Sequence, residues 1–190
     1  MSAENKGFGF KITVIGDATV GKTSLIKKYT QGSFQKDYIS TLGTQFSKYE
    51  EVIEGEKVEL FIWDIAGQDS FEALRQRFFT GSSGAIIVFS HAPEQTKSYE
   101  HVNKWLSDLK NHCGNIPIVL FGNKIDLIDD GELELNPNLP TANRIVEQFA
   151  KENRFIAYYK TSALTGRGVT DAFKALVRKL YEIAKISNFS

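Results

Sequence analysis

The sequence predicts an α/β domain built on a doubly wound, mostly parallel sheet. Segments with the apolar spacing of strands alternate with segments that have the spacing of helices almost throughout the chain. Residues 85–89 and 116–121 are almost wholly apolar, as strands covered on both faces are. A length of 190 residues with 42% hydrophobic content suits one domain. We therefore expect a single domain over residues 1–190, with a core at about 9–186 and a six-stranded sheet with one antiparallel edge strand.

The first predicted strand leads into a glycine-bearing turn. Apolar and polar residues alternate over residues 10–14, which is typical of a strand. The turn spans residues 16–21, and we expect a helix from Lys22 to near Gly32. Ligands of doubly wound sheets bind beyond the carboxyl ends of the strands, and this turn lies at such an end.

The remaining elements follow in chain order. Residues 46–53 and 58–64 flank a Glu-Gly-Glu turn and predict an antiparallel hairpin. The spacing of apolar residues predicts helices over 97–111, 141–153 and 169–186 and a strand over 155–159. Residues 127–140 are acidic and contain two prolines, so we expect an extended, solvated loop there.

Composition excludes several classes of protein. Lysine plus arginine equal aspartate plus glutamate at 23 each, so no overall charge attracts nucleic acid or a membrane surface. Cys113 is the only cysteine, which excludes an internal disulfide. No apolar run reaches the ~18 residues of a membrane span. Ser2 replaces the glycine of a myristoylation signal, and the last residues carry no cysteine for prenylation. We expect a cytoplasmic protein that binds no nucleic acid and reaches a membrane only through a partner or a missing tail.

A phosphate-binding motif lies between the first strand and the first helix. The residues Gly16-Asp-Ala-Thr-Val-Gly-Lys-Thr23 match the pattern G-x-x-x-x-G-K-[ST]. In this motif, backbone N–H groups and the helix N-terminus bind phosphate oxygens, the lysine reaches the outer phosphates, and the final hydroxyl ligates Mg²⁺. The predicted contacts are Asp17, Ala18, Thr19, Val20, Gly21, Lys22, Thr23 and Ser24. The motif alone predicts a nucleoside triphosphate and leaves ATPases, kinases and GTPases open.

A second motif, Asn123-Lys-Ile-Asp126, follows an apolar strand and therefore lies on the same side of the sheet. An aspartate carboxylate only accepts hydrogen bonds, so Asp126 can take both N1–H and the 2-amino group of guanine, neither of which adenine offers. Together with Asp64-Ile-Ala-Gly-Gln68 and Thr161-Ser-Ala163, these motifs resemble the complete set of a small GTPase of the Ras superfamily, most similar to the Rab branch. The resemblance covers about residues 10–183 and implies the G domain of a P-loop NTPase.

The resemblance assigns further residues to the base. It implies that Asn123 braces its loop, that Lys124 lies over the guanine, and that the Ala163 N–H meets the guanine O6. Ser162 and Leu164 flank Ala163, and Leu164 replaces the usual lysine. Phe34 matches an aromatic that packs on the guanine edge, with a buried core position as the alternative, and Tyr38 completes the implied nucleotide contacts.

The resemblance also implies a magnesium-dependent switch and a hydrolytic step. Thr41 would complete the Mg²⁺ shell only when a γ-phosphate is present, and Asp64 would hold a Mg²⁺-bound water. Gly67 would donate its N–H to the γ-phosphate. Gln68 would orient the attacking water, and Lys22 would stabilise the charge on the transferred group. Without a clear internal arginine, hydrolysis should be slow, on the order of 10⁻⁴ to 10⁻³ per second, until an activating protein supplies charge.

Departures from the family pattern keep a second function open. Ala18 and Thr19 stand where the Ras branch carries glycines, and β-branched Thr19 narrows backbone freedom. The alternative is a binding module that holds GTP or GDP and hydrolyses it negligibly; a kinase would require an arginine-rich lid, which the sequence does not show.

Three aromatic residues match the trio that borders the switches of Rab-like proteins. These are Phe46, Trp63 and Phe79. We expect them to form an apolar patch for exchange factors, activating proteins and effectors in signalling of the vesicle-trafficking type, with burial in the core as the alternative.

Overall fold

The computed structural model describes residues 7–31, 39–41, 44–67, 77–136 and 138–188. The strands within these ranges are β1 (Phe8–Ile15), β2 (Ile39–Thr41), β3 (Thr44–Ile53), β4 (Glu56–Ile65), β5 (Gly84–Ser90), β6 (Ile118–Asn123) and β7 (Tyr158–Lys160). The helices with both ends inside these ranges are α1 (Lys22–Tyr29), α2 (Lys97–Glu100), α3 (Val102–Cys113), α4 (Asp130–Leu135), α5 (Asn143–Glu152) and α6 (Val169–Asn188).

The strands form one sheet in the order β2-β3-β4-β1-β5-β6-β7. Strands β4, β1, β5, β6 and β7 are parallel, and β3 runs antiparallel to β4. The predicted mostly parallel α/β fold is confirmed. The three-residue strand β2 pairs with β3 and extends the expected six-stranded sheet at this edge. Three residues are too few to show the alternation by which a strand is predicted.

Apolar side chains pack on both faces of the sheet. On one face, Ile12 and Leu25 pack with Phe173 of α6. On the other face, Ile87 packs with Trp105 of α3 and with α5. All residues of β5 and β6 are buried, as expected for central strands. This packing places the carboxyl ends of β1, β4, β5 and β6 along one edge, where the two sequence motifs lie.

The segment 127–140 is not wholly irregular, so the prediction of an extended loop is wrong for part of it. Helix α4 begins after Asp129, whose side chain accepts hydrogen bonds from the N–H groups of Gly131 and Glu132. Leu133 is fully buried and anchors the helix to the domain. An N-cap and a single apolar anchor are enough to stabilise one short helix in an otherwise polar stretch. None of the described helices has the length and hydropathy needed to cross a membrane.

Candidate nucleotide-binding site

The phosphate loop joins the end of β1 to the start of α1 and requires its glycines. Gly16 has φ 139°, and a Cβ there would lie 2.1 Å from the carbonyl oxygen of Val88. Gly21 has φ 101°, and a Cβ there would lie 2.3 Å from Nδ2 of Asn123. Only glycine adopts these angles without strain and permits both close approaches.

Lys22 is held inside this loop. Its side chain is almost fully buried, and Nζ donates hydrogen bonds to the carbonyl oxygens of Gly16 at 2.9 Å and Asp17 at 2.7 Å. Main-chain acceptors of the loop therefore position the ammonium group.

Thr23 and Asp64 meet where α1 begins and β4 ends. The Thr23 hydroxyl donates to Oδ2 of Asp64, and register places Asp64 opposite Val14 at the end of β1. Burial raises the pKa of Asp64, although the Thr23 hydrogen bond and the charge of Lys22 act in the opposite direction. A desolvated carboxylate beside a hydroxyl is an oxygen donor pair of the type that Mg²⁺ prefers, so these residues fit the implied cation.

Gly67 lies directly against the phosphate loop. A Cβ on Gly67 would be 2.4 Å from the backbone nitrogen of Ala18, so the two backbones are in close contact. The backbone of Thr41 belongs to β2, but its side chain is outside the described part of the structure. Phe34, Tyr38 and Gln68 also lie outside the described residues.

Asn123 joins the phosphate loop to the segments that we expect to read the base. It is 1% exposed at the end of β6, and Nδ2 donates to the Val20 carbonyl oxygen at 2.8 Å. Its Oδ1 accepts from the Ala163 N–H at 3.2 Å and from the Thr161 hydroxyl at 3.3 Å. The Ala163 N–H, which the resemblance assigns to guanine O6, thus donates to Asn123 in this structure. One amide therefore ties together three segments that are far apart in the sequence.

A pocket of about 350 Å³ lies beside Asn123. Ser162 donates its hydroxyl proton to Oδ1 of Asp126 at 2.5 Å, which orients the exposed carboxylate at the pocket wall. The lining residues are Gly21, Ser24, Asn123, Lys124, Asp126, Leu127, Ala163 and Leu164. Sequence reasoning named all of these except Leu127, which directly follows the Asn-Lys-Ile-Asp motif. The volume suits a small ligand such as a nucleobase.

Residues between β5 and α3, together with Trp105 of α3, contact both loops from outside, and sequence reasoning missed these contacts. The Asp17 carboxylate accepts from Trp105 Nε1 at 2.8 Å and lies 2.6 Å from His101 Nδ1. Gln95 contacts Thr19 and Lys124. These partners are separated by 29 to 88 residues, so no local pattern indicates them.

The predicted aromatic surface has different members from those expected. The rings of Phe46 and Trp63 are 5.4 Å apart, and Phe78 is 5.8 Å from Trp63. Phe79 is 1% exposed in the core, so its assignment to the surface is wrong. Residues 77–79 are helical, and successive helical side chains point about 100° apart. Phe78, not Phe79, therefore joins what we call the aromatic patch: Phe46, Phe61, Trp63 and Phe78.

The chain is similar to known proteins over most of its length. Residues 11–182 match the sequence profile of the Ras family. The Ras-related protein Rab11A of Lotus japonicus is 34% identical over 175 residues, which are 92% of this chain and 73% of that protein. The Ras-related protein RABA4d of Arabidopsis thaliana is 36% identical over 92% of this chain and 74% of its own length. The GTP-binding protein ypt3 of Schizosaccharomyces pombe is 33% identical over 95% of this chain and 79% of its own length. Since the match runs from the first strand to the last helix, the chain belongs to the Ras family and is a Rab-like GTPase.

Proposed function

We propose that this chain is one GTP-binding domain that acts as a molecular switch in vesicle trafficking. It binds GTP or GDP with Mg²⁺, hydrolyses GTP slowly, and recruits effector proteins in the GTP state. It works in the cytoplasm and contacts membranes through partners. The bridge made by Asn123 between the phosphate loop and the base-reading segments carries the proposal, because it unites both halves of a nucleotide site.

Base selection rests on Asp126. Ser162 holds one of its oxygens at the pocket wall, which orients the carboxylate as an acceptor. Guanine would donate N1–H and its 2-amino group to this carboxylate, whereas adenine would leave a desolvated carboxylate without donors. Rejecting a ligand that fails to satisfy such a group can reach about 10⁴-fold. Lys124 would cover the base, and Phe34 would contact its edge.

The phosphates would bind where the loop backbone and Lys22 converge. Mg²⁺, when bound, would neutralise charge on the outer phosphates, with Thr23, Thr41 and a water on Asp64 holding it. Gln68 would orient the attacking water, while Lys22 stabilises the charge that develops. Gly67 already touches the phosphate loop, so its N–H is close to where a γ-phosphate would lie.

Partner recognition would follow the nucleotide through the aromatic patch. Phe46 lies in β3, the strand that follows β2 and pairs with it, and Trp63 immediately precedes Asp64. A γ-phosphate that fixes Thr41 and Gly67 would therefore fix the borders of the patch. Effectors and activating proteins would bind this surface in the GTP state, and exchange factors would act on the neighbouring loops.

The sharpest test of the base is Asp126→Asn. The new amide can donate to the 2-oxo group of xanthine, so we expect GDP affinity to fall by about 10²-fold or more and xanthosine diphosphate to become relatively favoured. Competitive nucleotide titration measures this. Asp129→Asn is the matched control, because asparagine also caps helices and Asp129 caps α4. Unchanged guanine preference in Asp126→Asn would remove Asp126 from base recognition.

A measurement of GTP hydrolysis distinguishes the switch from the alternative, a binding module that hydrolyses GTP negligibly. Thr19 favours the alternative, because it stands where the Ras branch carries glycine. Gln68→Leu should reduce single-turnover GTP hydrolysis more than about tenfold with GTP affinity nearly unchanged. Gln148→Leu on α5 is the control, because that side chain contacts only Glu152 on the exposed helix surface in the described contacts. Equal phosphate release by wild type and Gln68→Leu would favour the binding module.

A further inference from the structure

The geometry points to Gln95 as a positioning residue that slows nucleotide release by linking the phosphate loop to the base-reading loop. This inference rests on the proposed function and concerns the same site. Gln95 ends the 3₁₀ turn Pro93–Gln95 between β5 and α2, outside every motif found in the sequence.

The Gln95 side chain bonds one residue from each loop. Its Nε2 donates to the Thr19 hydroxyl at 2.5 Å, and its Oε1 accepts from Lys124 Nζ at 2.7 Å. Thr19 belongs to the phosphate loop, and Lys124 follows Asn123 at the base-reading end. One side-chain amide therefore links the two loops. Asn123 makes a second, deeper link between the phosphate loop and the Thr161-Ser-Ala segment.

Both partners of Gln95 have backbones that only a surrounding structure can hold. Thr19 has φ 62° and Lys124 has φ 64°, which is the left-handed region that non-glycine residues rarely adopt. Such conformations persist where neighbouring contacts determine them. Gln95 donates a hydrogen bond to the Thr19 side chain and accepts one from the Lys124 side chain, and both are contacts of this kind. The Thr19 hydroxyl, which glycine would lack, thereby gains a specific role.

The turn that presents Gln95 is itself fixed to the sheet. The Gln95 N–H donates to the Ala92 carbonyl oxygen at 2.8 Å, and its carbonyl oxygen accepts from the Ser98 hydroxyl at 2.6 Å. Ser98 Oγ also accepts from the N–H of Ser90, the last residue of β5, at 2.9 Å. The main chain of Gln95 is therefore fixed to the buried end of β5. Its side-chain amide extends from this fixed point and can position the two loops.

Release of a nucleotide requires the two loops to loosen their hold on it. A link that keeps both loops ordered in the free protein reduces the conformational entropy that is lost when the nucleotide binds. This is the advantage of preorganisation. Each hydrogen bond of this type makes a modest net contribution to stability. Removing both should therefore accelerate release measurably without dismantling the core.

The test compares Gln95→Leu with Gln95→Glu in the full chain. Leucine has a similar size but no polar atoms, whereas glutamate can accept from both Lys124 Nζ and the Thr19 hydroxyl. We expect release of a fluorescent GDP, chased with excess GDP and Mg²⁺, to be about 5- to 20-fold faster in Gln95→Leu and within about twofold of wild type in Gln95→Glu. The melting temperature of the nucleotide-free protein should fall by no more than about 2–4 °C in either variant.

A double-mutant cycle identifies the partner. Thr19→Val removes the hydroxyl and keeps the shape, so Gln95→Leu should accelerate release at least about threefold less in that background than in wild type. Additive effects of the two changes would overturn the inference. So would equal release rates for Gln95→Leu and wild type, or a loss of thermal stability that accounts for the faster release.

The two proposals fail in different ways. If the wild-type chain does not retain GDP in preference to ADP, the proposed function fails. If it retains GDP and Gln95→Leu releases it at the wild-type rate, only the role of Gln95 fails.

Discussion

The two ends of the nucleotide cleft are built by different physical means. At the phosphate end the main chain does most of the positioning: Gly16 and Gly21 take positive φ, and Lys22 bonds two loop carbonyls. At the base end side chains do it, through the amide of Asn123 and the hydroxyl of Ser162 on Asp126. A site positioned by the main chain depends mostly on backbone conformation, whereas a site positioned by side chains depends on each residue's identity.

The two ends also differ in the titratable side chain that each one buries, which is Asp64 at the phosphate end and His91 behind the base end. Burial raises the pKa of Asp64 at the phosphate end and lowers the pKa of His91, behind the base end, to about 4. In both cases the uncharged form is favoured, because burial disfavours charge. A bound cation would offset the burial of Asp64. His91 instead meets the Tyr158 hydroxyl at 2.8 Å through Nε2, and its Nδ1 has no hydrogen-bond partner among the described residues.

The strongest test of the comparison removes the side-chain bridge with Asn123→Ala. Val20 O and the Ala163 N–H would lose their partner inside the protein, and each such orphaned group costs about 1–3 kcal/mol. We expect unfolding free energy to fall by about 4 kcal/mol in urea titrations and GDP affinity to fall by about 10²-fold or more.

Asn153→Ala is the control for that change. The Asn153 side chain donates to Phe149 O at the end of α5, far from the cleft in the fold. Its loss should lower stability by about 1 kcal/mol and leave GDP affinity unchanged. Similar effects of the two variants would contradict the view that side chains build the base end.

The buried histidine predicts a pH dependence. Its pKa is about 4 in the folded chain, whereas the ordinary value of histidine is 6.5, so the unfolded state binds more protons between these values. Stability is therefore fully present above pH 6.5 and falls as pH drops toward 4, by about 3 kcal/mol in all. Lys160 lowers this pKa and Asp130 raises it, but burial is the larger cause.

The pH prediction is checked by comparing wild type with His91→Gln. Urea unfolding at pH 7, 5.5 and 4.5 should show a growing loss of stability in wild type relative to the variant. A constant difference across this range would show that His91 does not stay neutral in the folded base end.

Gly21→Ala tests the close contact between the phosphate loop and the Asn123 side chain. The new Cβ would meet Asn123 Nδ2 at 2.3 Å and take φ 101°, so we expect a loss of about 2 kcal/mol and at least about tenfold weaker GDP binding. Gly55→Ala shares the strain, with φ 83°, but meets nothing within 4 Å. It should cost about 1 kcal/mol without an effect on GDP. Equal outcomes would mean that strain alone, not the contact with Asn123, matters at Gly21.

The smallest effect is expected where α4 contacts the base end. Asp130 lies 2.6 Å from Arg167 and 3.5 Å from Lys160, which flank the Thr161-Ser-Ala segment. Asp130→Asn should accelerate GDP release about two- to threefold at low salt and not at high salt, because exposed ion pairs are weak and screened. Glu182→Gln, which breaks the Lys179 pair on α6, is the control. An effect that persists in high salt would show that Asp130 does not act through its charge.

The sequence by itself determined the alternation of strands and helices and the position of both nucleotide motifs. Local patterns suffice for these, because burial on both faces requires apolar runs such as β5 and the phosphate loop requires glycines at fixed spacing. The sequence also named seven of the eight residues that line the pocket beside Asn123, through the phosphate-loop pattern, the Asn-Lys-Ile-Asp motif and the resemblance to small GTPases.

Only the tertiary structure decided which of two adjacent phenylalanines faces outward and which contacts hold the loops. Phe78 and Phe79 are identical in chemistry, and the direction of one helical turn places Phe79 in the core. Gln95 and Trp105 reach the phosphate loop from 76 and 88 residues away, and their hydrogen bonds depend on side-chain direction after packing. Sequence patterns report which face of an element is apolar; they carry no information on which distant polar groups that packing brings within hydrogen-bond distance.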